Sequence, residues 1–67
     1  MASLRFSLHF WQTMLATAKR CSTSETYASD AKSLLKRALE DGHAFDDVAH
    51  AMPAHERERF RRQLAQR

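Results

Sequence analysis

Turn-forming residues are almost missing from this chain, which has one glycine, Gly42, and one proline, Pro53. An all-β fold needs turn residues every few positions, so their scarcity favours helices. Apolar residues make up 43% of the 67 residues, which is enough for a folded core and too many for a disordered tail. We therefore expect one small all-α domain that spans residues 1–67.

The length of the chain limits how stable such a domain is when it is alone. A domain of this size buries only about 60% of the surface that its unfolded chain exposes. The one cysteine, Cys21, cannot form an internal disulfide. We therefore predict a homodimer, or a chain that docks on another protein. A single cysteine also indicates a reducing compartment, so we expect a cytoplasmic protein.

The first predicted helix covers about residues 4–20. Apolar side chains recur at helical spacing along one face of it, at Leu4, Leu8, Trp11, Leu15 and Ala18. Residues 4–10 also alternate strictly between apolar and polar, which is a strand pattern. The sequence leaves helix and strand both open for that segment. The acid-free stretch 1–24 also has the composition of a transit peptide, but its removal would leave too little chain to fold.

A second apolar stripe lies on the other side of this helix and consists of Phe6, Phe10 and Met14. Because a small chain cannot easily bury two faces of one helix, this stripe indicates a contact with a partner. We predict that Phe6, Phe10, Trp11 and Met14 form a dimer or partner interface. A membrane-surface anchor is a further interpretation, but it needs a more basic polar face than this helix has.

Three more helices are predicted, at about 24–41, 44–51 and 53–66, which gives three main helices and one short helix. Ser22 or Ser24 caps the start of the second helix, and Gly42 follows its end. Its apolar stripe consists of Tyr27, Ala31, Leu34, Leu35, Ala38 and Leu39. Pro53 separates the short helix from the last one.

Positive charge is concentrated at the two ends of the chain, where residues 1–24 and 51–67 each carry +3, while residues 25–50 carry −3. The last helix holds arginines that are suited to phosphate contacts: Arg57, Arg59, Arg61, Arg62 and Arg67. Interleaved glutamates make an exposed helix with internal ion pairs the simpler interpretation. Nucleic-acid binding through these arginines is therefore the alternative function.

A second route to nucleic acid starts from the strand pattern. One strand followed by helices is the outline of a ribbon-helix-helix dimer, whose polar strand side chains enter the major groove. Arg5, Ser7 and His9 would be those side chains. The chain departs from the outline because a third helical region follows and no glycine marks the first helix–helix turn.

The sequence contains no motif for catalysis, for a metal or for a cofactor. The four histidines, His9, His43, His50 and His55, lack the spacing of a zinc motif. Adjacent carboxylates at Asp46 and Asp47 would point about 100° apart on a helix, so they do not form a catalytic pair. We expect neither enzymatic activity nor a small-molecule substrate. The longest apolar run has three residues, so no transmembrane segment is expected.

These observations favour a small non-enzymatic regulatory or adaptor protein that binds other proteins and forms a homodimer. The alternative is a nucleic-acid-binding regulator that uses the basic last helix or an N-terminal ribbon. Arginine outnumbers lysine by 8 to 3, a bias consistent with a GC-rich bacterial or mobile-element genome.

Overall fold

A computed structural model of the protein describes residues 6–21 and 23–65. These residues form four helices, which are α1 (Leu8–Cys21), α2 (Ser24–Glu40), α3 (Phe45–Val48) and α4 (Ala54–Ala65). No strand occurs in this part of the chain. The predicted all-α class, with three main helices and one short helix, is confirmed.

The first helix begins at Leu8, four residues later than predicted, because Ser7 caps it. The Ser7 hydroxyl accepts a hydrogen bond of 3.1 Å from the Phe10 N–H, and the Ser7 carbonyl accepts one of 3.3 Å from the Trp11 N–H. Phe6 lies just before this cap, and its ring meets the Trp11 ring with centroids 5.8 Å apart. This contact between the residue before the cap and the fourth helical residue is a hydrophobic staple, which fixes how the chain enters α1.

The strand alternative for residues 4–10 is wrong for the described part of that segment. His9 lies in the first turn of α1, and Ser7 is the cap of that helix. Residues 4 and 5 lie outside the described residues, so Arg5 does too. The ribbon-helix-helix outline therefore lacks its strand at Ser7 and His9.

The second helix starts with a capping box that the sequence pattern misassigns. The Thr23 hydroxyl accepts a hydrogen bond of 3.2 Å from the Thr26 N–H, and the Thr26 hydroxyl accepts one of 3.0 Å from the Thr23 N–H. Each threonine thus satisfies the other's backbone donor. Ser24 is the first helical residue, so it is not the cap, and Ser22 lies outside the described residues.

The end of α2 follows the prediction. Gly42 has a φ of 100°, a conformation that costs residues with a Cβ atom energy. The Gly42 N–H donates to the Leu39 carbonyl at 3.0 Å, and the His43 N–H donates to the Ala38 carbonyl at 3.1 Å. These two bonds define a Schellman motif, which reverses the chain and directs it back across α1.

The third and fourth helices are shorter than predicted. α3 is a single turn, and turns replace the helix that the sequence predicts for residues 49–51. Proline disfavours a helical conformation in the residue before it, so the chain leaves the helix ahead of Met52. Pro53 directly precedes α4, and its carbonyl accepts the first helical bond from the Arg57 N–H at 3.0 Å. The sequence predicts that the last helix extends to residue 66, which lies outside the described residues.

The second helix, α2, lies at the centre of the fold and contacts each of the other three helices. Ala31, Leu35 and Ala38 of the predicted stripe are fully buried. The small side chains of Ala31 and Ala38 let neighbouring helices approach closely. The rest of the buried core comes from the other elements and consists of Trp11, Leu15, Val48, Ala49, Met52 and Phe60.

Candidate protein-binding site

Three aromatic rings cluster at the start of α1. Phe6 and Phe10 stack with centroids 4.3 Å apart and planes 19° from parallel. The Trp11 ring meets Phe10 edge to face, with centroids 5.1 Å apart. Such pairs add about 0.5–1.5 kcal/mol each beyond the area they bury. The cluster therefore holds the segment before α1 in a defined position.

Polar contacts fasten the same segment to the end of α2. Oδ2 of Asp41 accepts hydrogen bonds from the Phe6 N–H at 2.8 Å and from the Trp11 indole N–H at 3.1 Å. Nε2 of His43 donates to the Phe6 carbonyl at 2.7 Å, because a carbonyl oxygen can only accept. Phe6 is thus anchored through its backbone as well as through its ring contacts, and part of its ring remains exposed. A further hydrogen bond of 2.9 Å, from the Gln12 amide to the Asp47 carbonyl, joins α1 to α3.

The predicted interface residues divide between core and surface. Trp11 is only 4% exposed and belongs to the core, whereas Phe6 is 44% exposed and Met14 is 36% exposed. Phe10 lies between Phe6 and Met14 in the sequence and is partly buried. We call Phe6, Phe10 and Met14 the aromatic–methionine face. Met14 also lines a shallow groove between α1 and α2 together with Leu34.

The C-terminal arginines do not act as one group. Arg61 forms an ion pair with Asp46, lies 3.8 Å from Glu58, and places its guanidinium 5.4 Å from the centre of the Phe45 ring. Arg57 is partly buried, and its Nε is enclosed without a hydrogen-bond partner among the described residues. Arg61 therefore joins α4 to α3, whereas Arg57 is partly withdrawn from the surface. Arg67 lies outside the described residues.

Arg59 and Arg62 differ, because both are exposed and neither has an ion-pair partner within 4.0 Å in the described ranges. Gln63 lies beside them and also borders a groove with Lys32 and Lys36 of α2. We call Lys32, Lys36, Arg59 and Arg62 the basic face. The glutamates that border its two grooves are Glu40 and Glu58. The sequence alone does not single out Lys32 and Lys36, because residues 25–50 as a whole carry a net charge of −3.

A second polar group joins α1, α2 and α4. Oε1 of Glu56 accepts a hydrogen bond of 3.4 Å from the Tyr27 hydroxyl and lies 4.0 Å from Nζ of Lys19. Burial raises the pKa of the Tyr27 phenol, and the negative charge of Glu56 and the hydrogen bond to it raise this pKa further. Of the two glutamates of α4, Glu58 forms an ion pair within the helix, with Arg61, whereas Glu56 contacts Lys19 of α1.

Among the described residues, no three His, Cys, Asp or Glu side chains lie close enough to share one metal ion. His43 follows the end of α2 and His50 lies in a turn, so the two do not share a helical face. No described helix is both long and apolar enough to cross a bilayer. Searches against protein-family models, curated proteins and solved structures found no match for this chain.

Proposed function

We propose that this protein is a small non-enzymatic regulator or adaptor that works by binding protein, and that two copies associate through the aromatic–methionine face. The observation that carries the proposal is the exposure of Phe6 and Met14, whereas the neighbouring Trp11 is buried in the core. Folding of one chain leaves a large part of each of these apolar side chains exposed to water. Covering them is favourable by about 25 cal/mol for each Å² of apolar surface that is buried.

A second copy suits this face because none of its three side chains is charged. Phe6, Phe10 and Met14 are all apolar, so two identical faces can meet without bringing like charges together. A two-fold dimer pairs the same patch on both subunits and is the commonest symmetric assembly. Phe and Met are also enriched at the centres of protein interfaces. A dimer would supply the stability that a chain of this length is short of.

Sedimentation velocity over a range of protein concentrations tests the proposal. We expect the wild-type chain to sediment as a dimer and Met14→Asp to sediment as a monomer, because the substitution would bury a charge in the interface. Thr13→Asp is the matched control, since Thr13 is an exposed neighbour on the same helix. A monomeric wild-type chain, or a Met14→Asp variant that remains dimeric, contradicts the proposed dimer.

A nucleic-acid-binding regulator is the second candidate, and the basic face supports it. Four exposed cations on two neighbouring helices are a better arrangement for phosphates than five arginines around one helix. Lys32 and Lys36 thus add to the predicted contacts. Arg61 contributes less because it is paired with Asp46, and Arg57 contributes less because it is partly buried.

A further inference from the structure

A cleft of about 210 Å³ opens on the edge of α1 that lies away from Met14. Its walls come from α1, from the start of α2 and from the α3–α4 connection. Its apolar lining includes Leu15, Tyr27, Val48 and Met52. Lys19 and Arg20 stand at the α1 edge of the cleft. Both are exposed, so the cleft combines an apolar floor with a positively charged rim.

We propose that this cleft binds a segment of another protein that carries one bulky apolar side chain flanked by carboxylates. The proposal rests on the proposed function in one respect, which is that the chain is a protein-binding protein. It is independent of the dimer, because the cleft and the aromatic–methionine face lie on different edges of α1.

The volume of the cleft points to a single side chain. An apolar cavity of about 150 Å³ is large enough to hold benzene, so a phenylalanine or leucine side chain fits here. Pockets for drug-sized ligands and cofactors have volumes of about 300–1,000 Å³, which is more than this cleft provides. A peptide that places one anchor in the cleft and lies across its rim therefore suits the site better than a whole small molecule.

The charge of the rim selects the residues beside that anchor. Arg20 has no ion-pair partner within 4.0 Å in the described part of the chain, and Lys19 has only the long contact of 4.0 Å to Glu56. Carboxylates on the partner segment would complement both cations. Two copies of this chain could not meet cleft to cleft without opposing these cations to each other. The rim thus favours an acidic segment from a different protein.

Selection from a displayed library of random 12-residue peptides tests the proposal, with an Ala51→Trp variant for counter-selection. Ala51 lines the cleft but is exposed, so the larger ring fills the cleft without entering the core. Ala65→Trp is the control, because Ala65 is an exposed residue elsewhere. Circular dichroism checks whether both variants keep the helical content of the wild-type chain.

We expect the enriched peptides to share one Phe, Leu or Trp with Asp or Glu on either side. Synthetic copies of them should bind the Ala65→Trp chain as they bind wild type, lose binding to Ala51→Trp, and bind Arg20→Glu about tenfold more weakly or worse. Peptides without acidic residues, peptides that bind Ala51→Trp equally well, peptides that match a segment of this chain, or no enrichment would each overturn the proposal. Met14→Asp should bind the peptides normally, so failure of the dimer and failure of the cleft are distinguishable.

Discussion

The indole nitrogen of Trp11 donates a hydrogen bond of 3.1 Å to Oδ2 of Asp41, which lies 30 positions further along the chain. The same oxygen accepts a hydrogen bond of 2.8 Å from the backbone N–H of Phe6. One carboxylate therefore joins the start of α1 to the end of α2. The contact gives the buried Trp11 ring a partner for its only polar atom and holds Phe6 at the edge of the aromatic cluster.

Removal of this carboxylate should destabilise the fold. Asp41→Ala leaves the part-buried Trp11 N–H without its partner, and we expect a loss of roughly 1–3 kcal/mol in the free energy of unfolding. Asp41→Asn keeps an acceptor oxygen, so its free energy of unfolding should fall by less. Urea unfolding followed by circular dichroism measures both. Asp47→Ala is the control, since the Asp47 side chain is exposed and only its backbone carbonyl is used. Equal losses at the two positions would contradict this role of Asp41.

The reversal of the chain at Gly42 gives a second prediction. Because φ is 100° there, Gly42→Ala should lower the free energy of unfolding by about 1–2 kcal/mol. Gly42→Asn should cost less, since asparagine tolerates a positive φ better than alanine does. Urea unfolding under identical conditions gives the order of stability of the wild type, Gly42→Asn and Gly42→Ala. An alanine variant as stable as the wild type would show that the turn does not need glycine.

The raised pKa of Tyr27 is directly measurable, because Tyr27 is the only tyrosine. Absorbance of the phenolate should titrate with a midpoint above 10.0 in the folded chain. Glu56→Gln should bring the midpoint closer to 10.0 by removing the negative charge, while the effect of burial remains. A folded-state midpoint at or below 10.0, with helicity retained, would contradict the described environment.

The sign of the linked stability change follows from the same shift. The folded state holds the Tyr27 proton more tightly than the unfolded state does. The stabilisation is therefore fully present below pH 10.0 and is lost as the pH rises through the folded-state pKa. Tyr27→Phe should remove this component of the alkaline loss of stability, which urea unfolding at several pH values above 9 would detect.

Local patterns in the sequence are sufficient for most of the fold. The sequence predicts the buried face of α2 correctly, because apolar residues that recur at helical spacing over 17 residues leave little choice of face. It also predicts the end of α2, which Gly42 marks. The start of α1 is harder, because alternation and helical spacing overlap up to Phe10. The deciding signal is the staple pattern around Ser7: Phe6 lies directly before it, and Trp11 lies four positions after it.

Contacts between distant residues are the part that sequence patterns miss. Arg61 pairs with Asp46 rather than with its helical neighbours alone, because α3 brings Asp46 beside α4. Asp41 and His43 serve the candidate site only because the Schellman turn brings them beside Phe6. The division of the interface residues into a buried Trp11 and an exposed Phe6 likewise depends on how α1 packs on α2.

The nucleic-acid alternative makes a prediction that the dimer does not. If the basic face contacts phosphates, Arg59→Ala with Arg62→Ala should weaken duplex binding and reduce the slope of log affinity against log salt by about 2. Lys19→Ala with Arg20→Ala changes the net charge equally on another surface and should leave the slope nearly unchanged. Fluorescence anisotropy of a labelled random duplex across a salt series measures both. No binding by the wild-type chain at low salt, or equal slopes, would exclude the basic face as a nucleic-acid site.

Association through the aromatic–methionine face is tested most directly by isotope-filtered NOE spectroscopy on a mixture of labelled and unlabelled chains. In this experiment only contacts between copies give signals. We predict signals that connect the Met14 methyl group of one copy to the rings of Phe6 or Phe10 in the other. Signals from a different surface, or none at concentrations where sedimentation gives a dimer, would contradict a dimer formed through this face.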